Sequence, residues 1–415
     1  VMVNAAPLVF AGYGISAPER KYDDYAGLAA QGKIVVVTRQ APRQFGDNER
    51  QYFSDLRTVL ETAARHGAVG VLLAAARPDA HLPDFPKGVV SALGPDGQVA
   101  GSRSYAPGSV QLVGSISAAT LHQLFAGAAT DTARALAALR GGRPAPVVLA
   151  GRLSVSFRSR YQDVDSYNVV GKIAGSDPRL QAEYVVHSAH LDHLGVGPAL
   201  KGDSIYNGAH DNATGVASVL EISKLYARLP QKPRRSVLFV LVTGEEMGLL
   251  GSAYFARAPT VPKAALVAAL NTDMPTLIAP LLGVVPLGAD HSSLLTEVHR
   301  AANYLNLAVE PDPEPAQNRF IRSDQYSFVV QGVPALHIKY GNRTADGQNN
   351  LSEAVQKWRA ATYHTPQDNY VGGTFDWAAG VKYAQLNFLI GYQVAQAAAR
   401  PRWNKGDFFG ERVGK

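Results

Sequence analysis

The chain of 415 residues is 46% hydrophobic and 18% charged, a globular composition too long for one ordinary core, so two domains are expected. Its 40 Lys and Arg against 34 Asp and Glu leave +6, spread in short clusters without the basic, aromatic-studded face that a nucleic-acid partner needs. The absence of cysteine excludes disulfides and thiolate chemistry, and no apolar run reaches the ~18 residues of a membrane span, so no stable membrane insertion is expected.

The first 150 residues read as a unit of their own. "PLVFAGYGI" and "GKIVVVTR" are strand-like. "DLRTVLETAARHGAVGVLLAAA" reads as a helix followed by a strand, and "SAATLHQLFAGAATDTARALAALR" as helical. Pro and Gly in "GGRPAP" then mark an expected linker, which puts the boundary between residues 150 and 151. From there apolar strands alternate with amphipathic helices. "SYNVVGKIAG", "EYVVHSAH", "RSVLFVLVTGEE", "AALVAALNTDM" and "VPALHIKYG" are strands. "GVASVLEISKLYARL", "SSLLTEVHRAANYLNL" and "WAAGVKYAQLNFLIGYQVAQAAA" are helices. This rhythm predicts an α/β fold, a doubly wound, mostly parallel sheet with helices on both faces. In such sheets chemistry collects in loops beyond the carboxyl ends of the strands.

The titratable residues fall at that rim. His190 and Asp192 end one strand, Asp211 sits in the loop "YNGAHDNATG", Glu245 and Glu246 end another strand, Asp273 ends a third, and His364 lies in "ATYHTPQDN". Singly each has an ordinary explanation: a satisfied polar histidine, an aspartate that caps a helix, a solvated pair of glutamates. Together, five acids and two imidazoles converging on one rim repel each other unless a cation is bound. Nitrogen and oxygen donors without cysteine suit zinc in an open, catalytic site. No His-Glu-x-x-His helix is present, which removes support for a thermolysin-like single-zinc site.

In this order, "AHLDHLG", "NGAHDNATG", "TGEEMGLLGS", "NTDM" and "YHTPQD" resemble the co-catalytic di-zinc exopeptidases. These include secreted bacterial leucine-type aminopeptidases and, more distantly, glutamate carboxypeptidase and glutaminyl cyclase. "FAGYGISAPERKYDDYAG" and "GKIVVVTR" resemble the protease-associated domain of such enzymes, which implies that domain at 1–150 and a zinc peptidase catalytic domain at 151–415. The resemblance implies two zinc ions per chain. Asp211 would bridge them, His190 and Asp273 would complete one site, and Glu246 and His364 the other. Glu245 would be the general base for the water bridging the metals, Asp192 would orient His190, and Tyr363 would stabilise the oxyanion. Arg322 and Asp324 in "FIRSDQYSF" would lie on the substrate side. His187, His193 and His210 are assigned to structure or to the outer shell.

The resemblance also implies a cis peptide between Asp211 and Asn212. The chain departs from it at His210, where relatives often have Asp, and at its amino end, which begins inside the protease-associated domain. The expected function is an aminopeptidase acting on peptides, periplasmic or secreted, its export signal removed. A glutamate-carboxypeptidase-like enzyme would want more arginines than Arg322, a glutaminyl-cyclase-like enzyme needs only one metal, and a receptor-like protein on this fold would have lost ligands that here survive.

Overall fold

The computed structural model describes residues 1–77, 89–102, 108–370 and 375–413. The chain divides into two compact units, 1–91 with 102–164, and 92–101 with 165–415.

The first unit is built on a five-stranded sheet of β1 (Met2–Ala11), β2 (Ile34–Val37), β3 (Gly70–Ala74), β4 (Leu112–Ile116) and β5 (Pro146–Ser156), in the order β4-β3-β2-β1-β5. The four strands from β4 to β1 pair in parallel, and β5 pairs antiparallel with β1. The runs Ile34–Val37 and Gly70–Ala74 are buried at every position, as strands covered on both faces should be. Helices α1 (Leu56–Arg65), α2 (Ala118–Leu124) and α3 (Thr132–Arg140) start at Asp55, Ser117 and Asp131, whose side chains accept the orphan N–H of Arg57, Thr120 and Arg134. The predicted boundary at 150/151 falls inside β5, whose Ser156 still pairs with Met2. "GGRPAP" is therefore the turn from α3 into the last strand, and the first unit runs on to Val164. A second departure is the segment Ala92–Gly101, whose short hairpin belongs to the second unit and accepts hydrogen bonds from Arg257 on Val99 O and on the Asp96 carboxylate.

The second unit carries a seven-stranded sheet. Its strands are β6 (Val169–Ile173), β7 (Tyr184–His190), β8 (Ser236–Val242), β9 (Leu266–Asn271), β10 (Gly283–Leu287), β11 (Ala308–Val309) and β12 (Ala335–Tyr340), ordered β6-β8-β7-β9-β12-β10-β11. The four central strands, β8, β7, β9 and β12, are parallel, while β6 and β10 flank them antiparallel. This is a mostly parallel α/β sheet, as expected, with antiparallel pairings on either side of its parallel middle. Alternate residues of the central strands, among them Val185, Val237, Ala268 and Leu336, enter one core with α4 (Thr214–Arg228), α6 (Leu294–Tyr304) and α8 (Trp377–Gln396). Helix α5 (Leu250–Arg257) follows β8, and α7 (Leu351–Thr362) precedes the loop that carries His364. Among the described residues no helix is long and apolar enough to cross a membrane.

His187 belongs to this core. It is fully buried, burial holds it neutral with its pKa lowered to about 3, and it packs against Tyr226 and Phe239. A Cβ at Gly391 of α8 would collide with His187 Nε2 and lie 2.8 Å from Tyr226 Oη. Gly→Ala inside an unhindered helix gains roughly 0.5–1 kcal/mol. Here Gly391→Ala should instead destabilise by about 1–3 kcal/mol, the range for overpacking. A lower denaturant midpoint checks this, and a raised midpoint would show that the close approach is dispensable.

Candidate metal centre

All the predicted ligands lie at or just beyond the carboxyl ends of the parallel strands. Strand β7 ends at His190, β9 ends at Asn271 two residues before Asp273, and β8 ends at Val242, after which Gly244 at φ +67° turns the chain into Glu245 and Glu246. Asp211 sits between β7 and α4, and the Asp211–Asn212 peptide is cis. His364 follows α7 with φ +56°.

These residues form two groups that share Asp211. His190, Asp211 and Asp273 offer one donor atom each within 4.8 Å of one another, and so do His193, Asp211 and Glu246. His190 Nε2 lies 3.3 Å from Asp211 Oδ1 and 3.7 Å from Asp273 Oδ1. On the other side, His364 Nε2 lies 3.3 Å from Asp211 Oδ2 and 3.2 Å from Glu246 Oε2. The two oxygens of one carboxylate thus face two different imidazoles. His193, assigned from the sequence to structure or the outer shell, stands against a candidate ligand, with Nδ1 2.8 Å from Glu246 Oε1.

Two further carboxylates fix the backbone under the groups. Asp192 accepts the N–H of Glu245 on Oδ1 (3.1 Å) and that of Glu246 on Oδ2 (3.3 Å). Asp368 accepts the N–H of His210 on Oδ1 (2.8 Å) and that of Asp211 on Oδ2 (3.0 Å). Asp192 was expected to orient His190 through its carboxylate. In the structure that carboxylate stands 3.8 Å from His190 Nδ1, and the backbone carbonyl of Asp192 is the nearer partner, at 3.1 Å. Asn212 ties the third segment in, donating from Nδ2 to Thr272 O (2.9 Å) and accepting Met274 N–H on Oδ1 (3.1 Å). Lys339 on β12 donates to Asp273 O at 2.7 Å.

The remaining predicted residues divide. Tyr363 stacks on His364 with ring centroids 3.8 Å apart, at the edge of the second group. Glu245 is 9% exposed. Asp324 has no exposed surface, so it cannot touch a substrate. That expectation is corrected: its carboxyl lies in the buried layer whose charge acts on Glu245. Arg322 is exposed and donates to Gln317 O at 3.2 Å, and no ion pair joins it to Asp324 among the described residues. His210 is held between Phe375, stacked at 4.2 Å, and Trp358, edge-on at 4.5 Å, with Nδ1 3.3 Å from Asp368.

The electrostatics follow from crowding acids in a buried place. Burial, then the charges of Asp273 and Asp324, push Glu245 well above the usual carboxylate range. Burial opposes ionisation of Glu246 and Asp273 too, but His193 and His364 hold Glu246 down at about 2, and Lys339 and His190 hold Asp273 well below its usual value. The imidazoles answer in kind. Against burial, Asp211 and Asp273 raise His190, and Asp211 and Glu246 raise His364 to about 9. Burial and Asp211 push Tyr363 up to about 12, so its hydroxyl stays a donor.

Metal binding fits this donor set. His190 Nε2, both ring nitrogens of His193, Glu246 Oε1 and His364 Nε2 are buried without a hydrogen-bond partner among the described residues, although opposite charges stand at ion-pair distance. Imidazole and carboxylate donors that converge without hydrogen-bonding each other suit zinc.

The profile of peptidase family M28 matches residues 168–387, 220 of the 415 residues. A probable zinc metalloprotease of Pyrenophora tritici-repentis is 27% identical over 299 residues, which is 61% of this chain and 58% of that one. A probable leucine aminopeptidase 2 of Aspergillus fumigatus is 25% identical over 221 residues, 51% of this chain and 41% of that one. The chain thus spans about half the length of these relatives. Among solved structures, an aminopeptidase from Aneurinibacillus sp. strain AM-1 is similar over 97% of this chain and 75% of that one, at 21% identity and a TM-score of 0.46.

Without a cation, protons on His190 and His364 balance the carboxylates. The folded pKa of His364, about 9 against an ordinary 6.5, means its stabilising charge is present below 6.5 and lost as pH rises through 9. Chelator-treated protein should therefore lose stability between those pH values, and zinc-loaded protein should not. Denaturant midpoints across the range check this, and equal pH dependence of the two forms would contradict it.

Proposed function

The chain belongs to peptidase family M28, and from that premise we propose that it is a zinc-dependent aminopeptidase that removes residues from the amino ends of peptides. The observation that carries this reading is the sharing of Asp211 between two donor groups, each with its own imidazole and its own second carboxylate. His190, Asp211 and Asp273 would hold one zinc ion, and Asp211, Glu246 and His364 a second, with His193 orienting Glu246. When bound, such a pair supplies Lewis acidity and makes water nucleophilic at neutral pH.

The chain's own groups supply the rest. Glu245, buried beside the donors, accepts the proton of the attacking water and then delivers it to the amine nitrogen of the leaving peptide. The hydrogen bonds from its backbone and that of Glu246 to Asp192 fix both side chains relative to Asp211. The Tyr363 hydroxyl, kept protonated, donates to the scissile carbonyl oxygen as charge builds on it. The surplus of carboxylates around the site favours a substrate that brings a free ammonium group, hence the amino end of a peptide. The first unit fits the reading as a protease-associated domain, on the strength of "FAGYGISAPERKYDDYAG" and "GKIVVVTR".

Glu245→Gln keeps the side chain's size and removes the base. It should lower kcat on a leucyl anilide by about 100- to 10,000-fold while elemental analysis finds its metal content unchanged. Blocking the amino group of the same substrate should abolish cleavage. Full activity in the variant, or cleavage of the blocked substrate, would overturn the reading.

A further inference from the structure

Arg359, on the last turns of α7, lies beside the candidate metal centre. Its guanidinium carbon sits 3.8 Å from the centroid of the Tyr363 ring, and Tyr363 in turn stacks on His364. Its Nη1 reaches Met274 Sδ at 3.5 Å, and Met274 follows Asp273. Arg359 therefore touches the neighbour of a candidate ligand from each of the two groups. It is half-buried, and among the described residues no carboxylate stands within ion-pair distance of it. The other cations nearby are occupied. Arg319 pairs with Asp312 and Glu314, and Lys339 donates to the carbonyls of Asp273 and Met274. A guanidinium has five N–H donors in a fixed fork, and a thioether sulfur is a weak acceptor for one of them. With the Tyr363 ring against its face, the N–H donors of the guanidinium lie along its edge, the geometry by which arginine takes a carboxylate through two parallel hydrogen bonds.

We infer that Arg359 is a specificity-determining residue that binds a carboxylate of the substrate beside the metal centre. This rests on the aminopeptidase reading and narrows it to acid-bearing substrates. The carboxylate has two possible sources, an acidic side chain on the amino-terminal residue or the free carboxyl end of a short peptide. Binding makes and breaks no covalent bond.

The test compares matched pairs on the zinc-loaded full chain. Glutamyl against glutaminyl anilide isolates the side-chain source, and leucylglycine against leucylglycinamide isolates the carboxyl-terminal source. In one of the pairs kcat/KM should favour the acid by about tenfold or more, the worth of a charge-assisted pair of hydrogen bonds. Arg359→Met should bring that ratio to within about threefold of one, and Arg359→Lys should keep part of it. Calorimetric binding of glutamate against glutamine, and of D-leucylglycine against its amide, reads the same preference without turnover. Hydrolysis with no acid preference in either pair, or a preference that survives Arg359→Met, overturns the inference and leaves the aminopeptidase reading standing. An acid preference in binding that Arg359→Met removes, with no anilide cleaved, upholds the inference and ends that reading.

Discussion

Mutual repulsion among buried carboxylates is the constraint around which the second unit is organised. Asp211, Glu245, Glu246, Asp273 and Asp324 converge with little or no access to water, and such a cluster is tolerable only beside positive charge. Lys339 supplies some of it from below, through the Asp273 carbonyl. The remainder comes from imidazoles that carry protons when nothing else is bound, and the buried, unpartnered ring nitrogens face the same small space. Fold and site are joined here, because only a sheet whose parallel strands all end on one side brings these side chains to one place.

Holding repelling groups in fixed positions takes backbone that cannot relax. Asp192 and Asp368 each accept two consecutive amides, of Glu245–Glu246 and of His210–Asp211, so the segments bearing the acids are clamped by other acids. Asn212 extends the same device to the segment carrying Asp273. Three non-glycine residues flanking the site, Leu249, Met274 and His364, occupy the left-handed region at φ +61°, +48° and +56°. Such conformations cost of order 1–3 kcal/mol and persist where surrounding contacts over-determine them. Gly208, at φ +65°, allows the close packing of His193 against the Asp211 loop, since a Cβ there would lie 2.6 Å from the His193 ring.

The central strands were legible because runs such as Val237–Val242 are apolar at nearly every position and end on chemistry-bearing residues. The clustering of acids and imidazoles was legible because they fall at strand ends on one rim, whereas their assignment to two metal sites came only from the family resemblance. The departures have a common physical origin. The clamping role of Asp192, beside its contact with His190, and that of Asp368 went unread because their partners are backbone amides, which leave no mark in residue type. His193 was assigned to structure or the outer shell, and the turn after β7 folds it back onto Glu246, a contact that its residue type alone does not specify. Helix α7 went unrecognised although Leu351, Val355 and Trp358 are spaced i, i+4, i+7, and Arg359 was missed with it. The domain boundary was placed too early because a Gly-Pro turn between α3 and β5 has the composition of a linker.

The central claim is that two cations are held around one aspartate. Elemental analysis with zinc titration, on folded wild type, Asp211→Asn and His190→Ala, addresses it most directly. Two ions per wild-type chain, neither retained at high affinity by Asp211→Asn, and one kept by His190→Ala is the result the geometry requires. A single ion in the wild type, or two undiminished in Asp211→Asn, would contradict it.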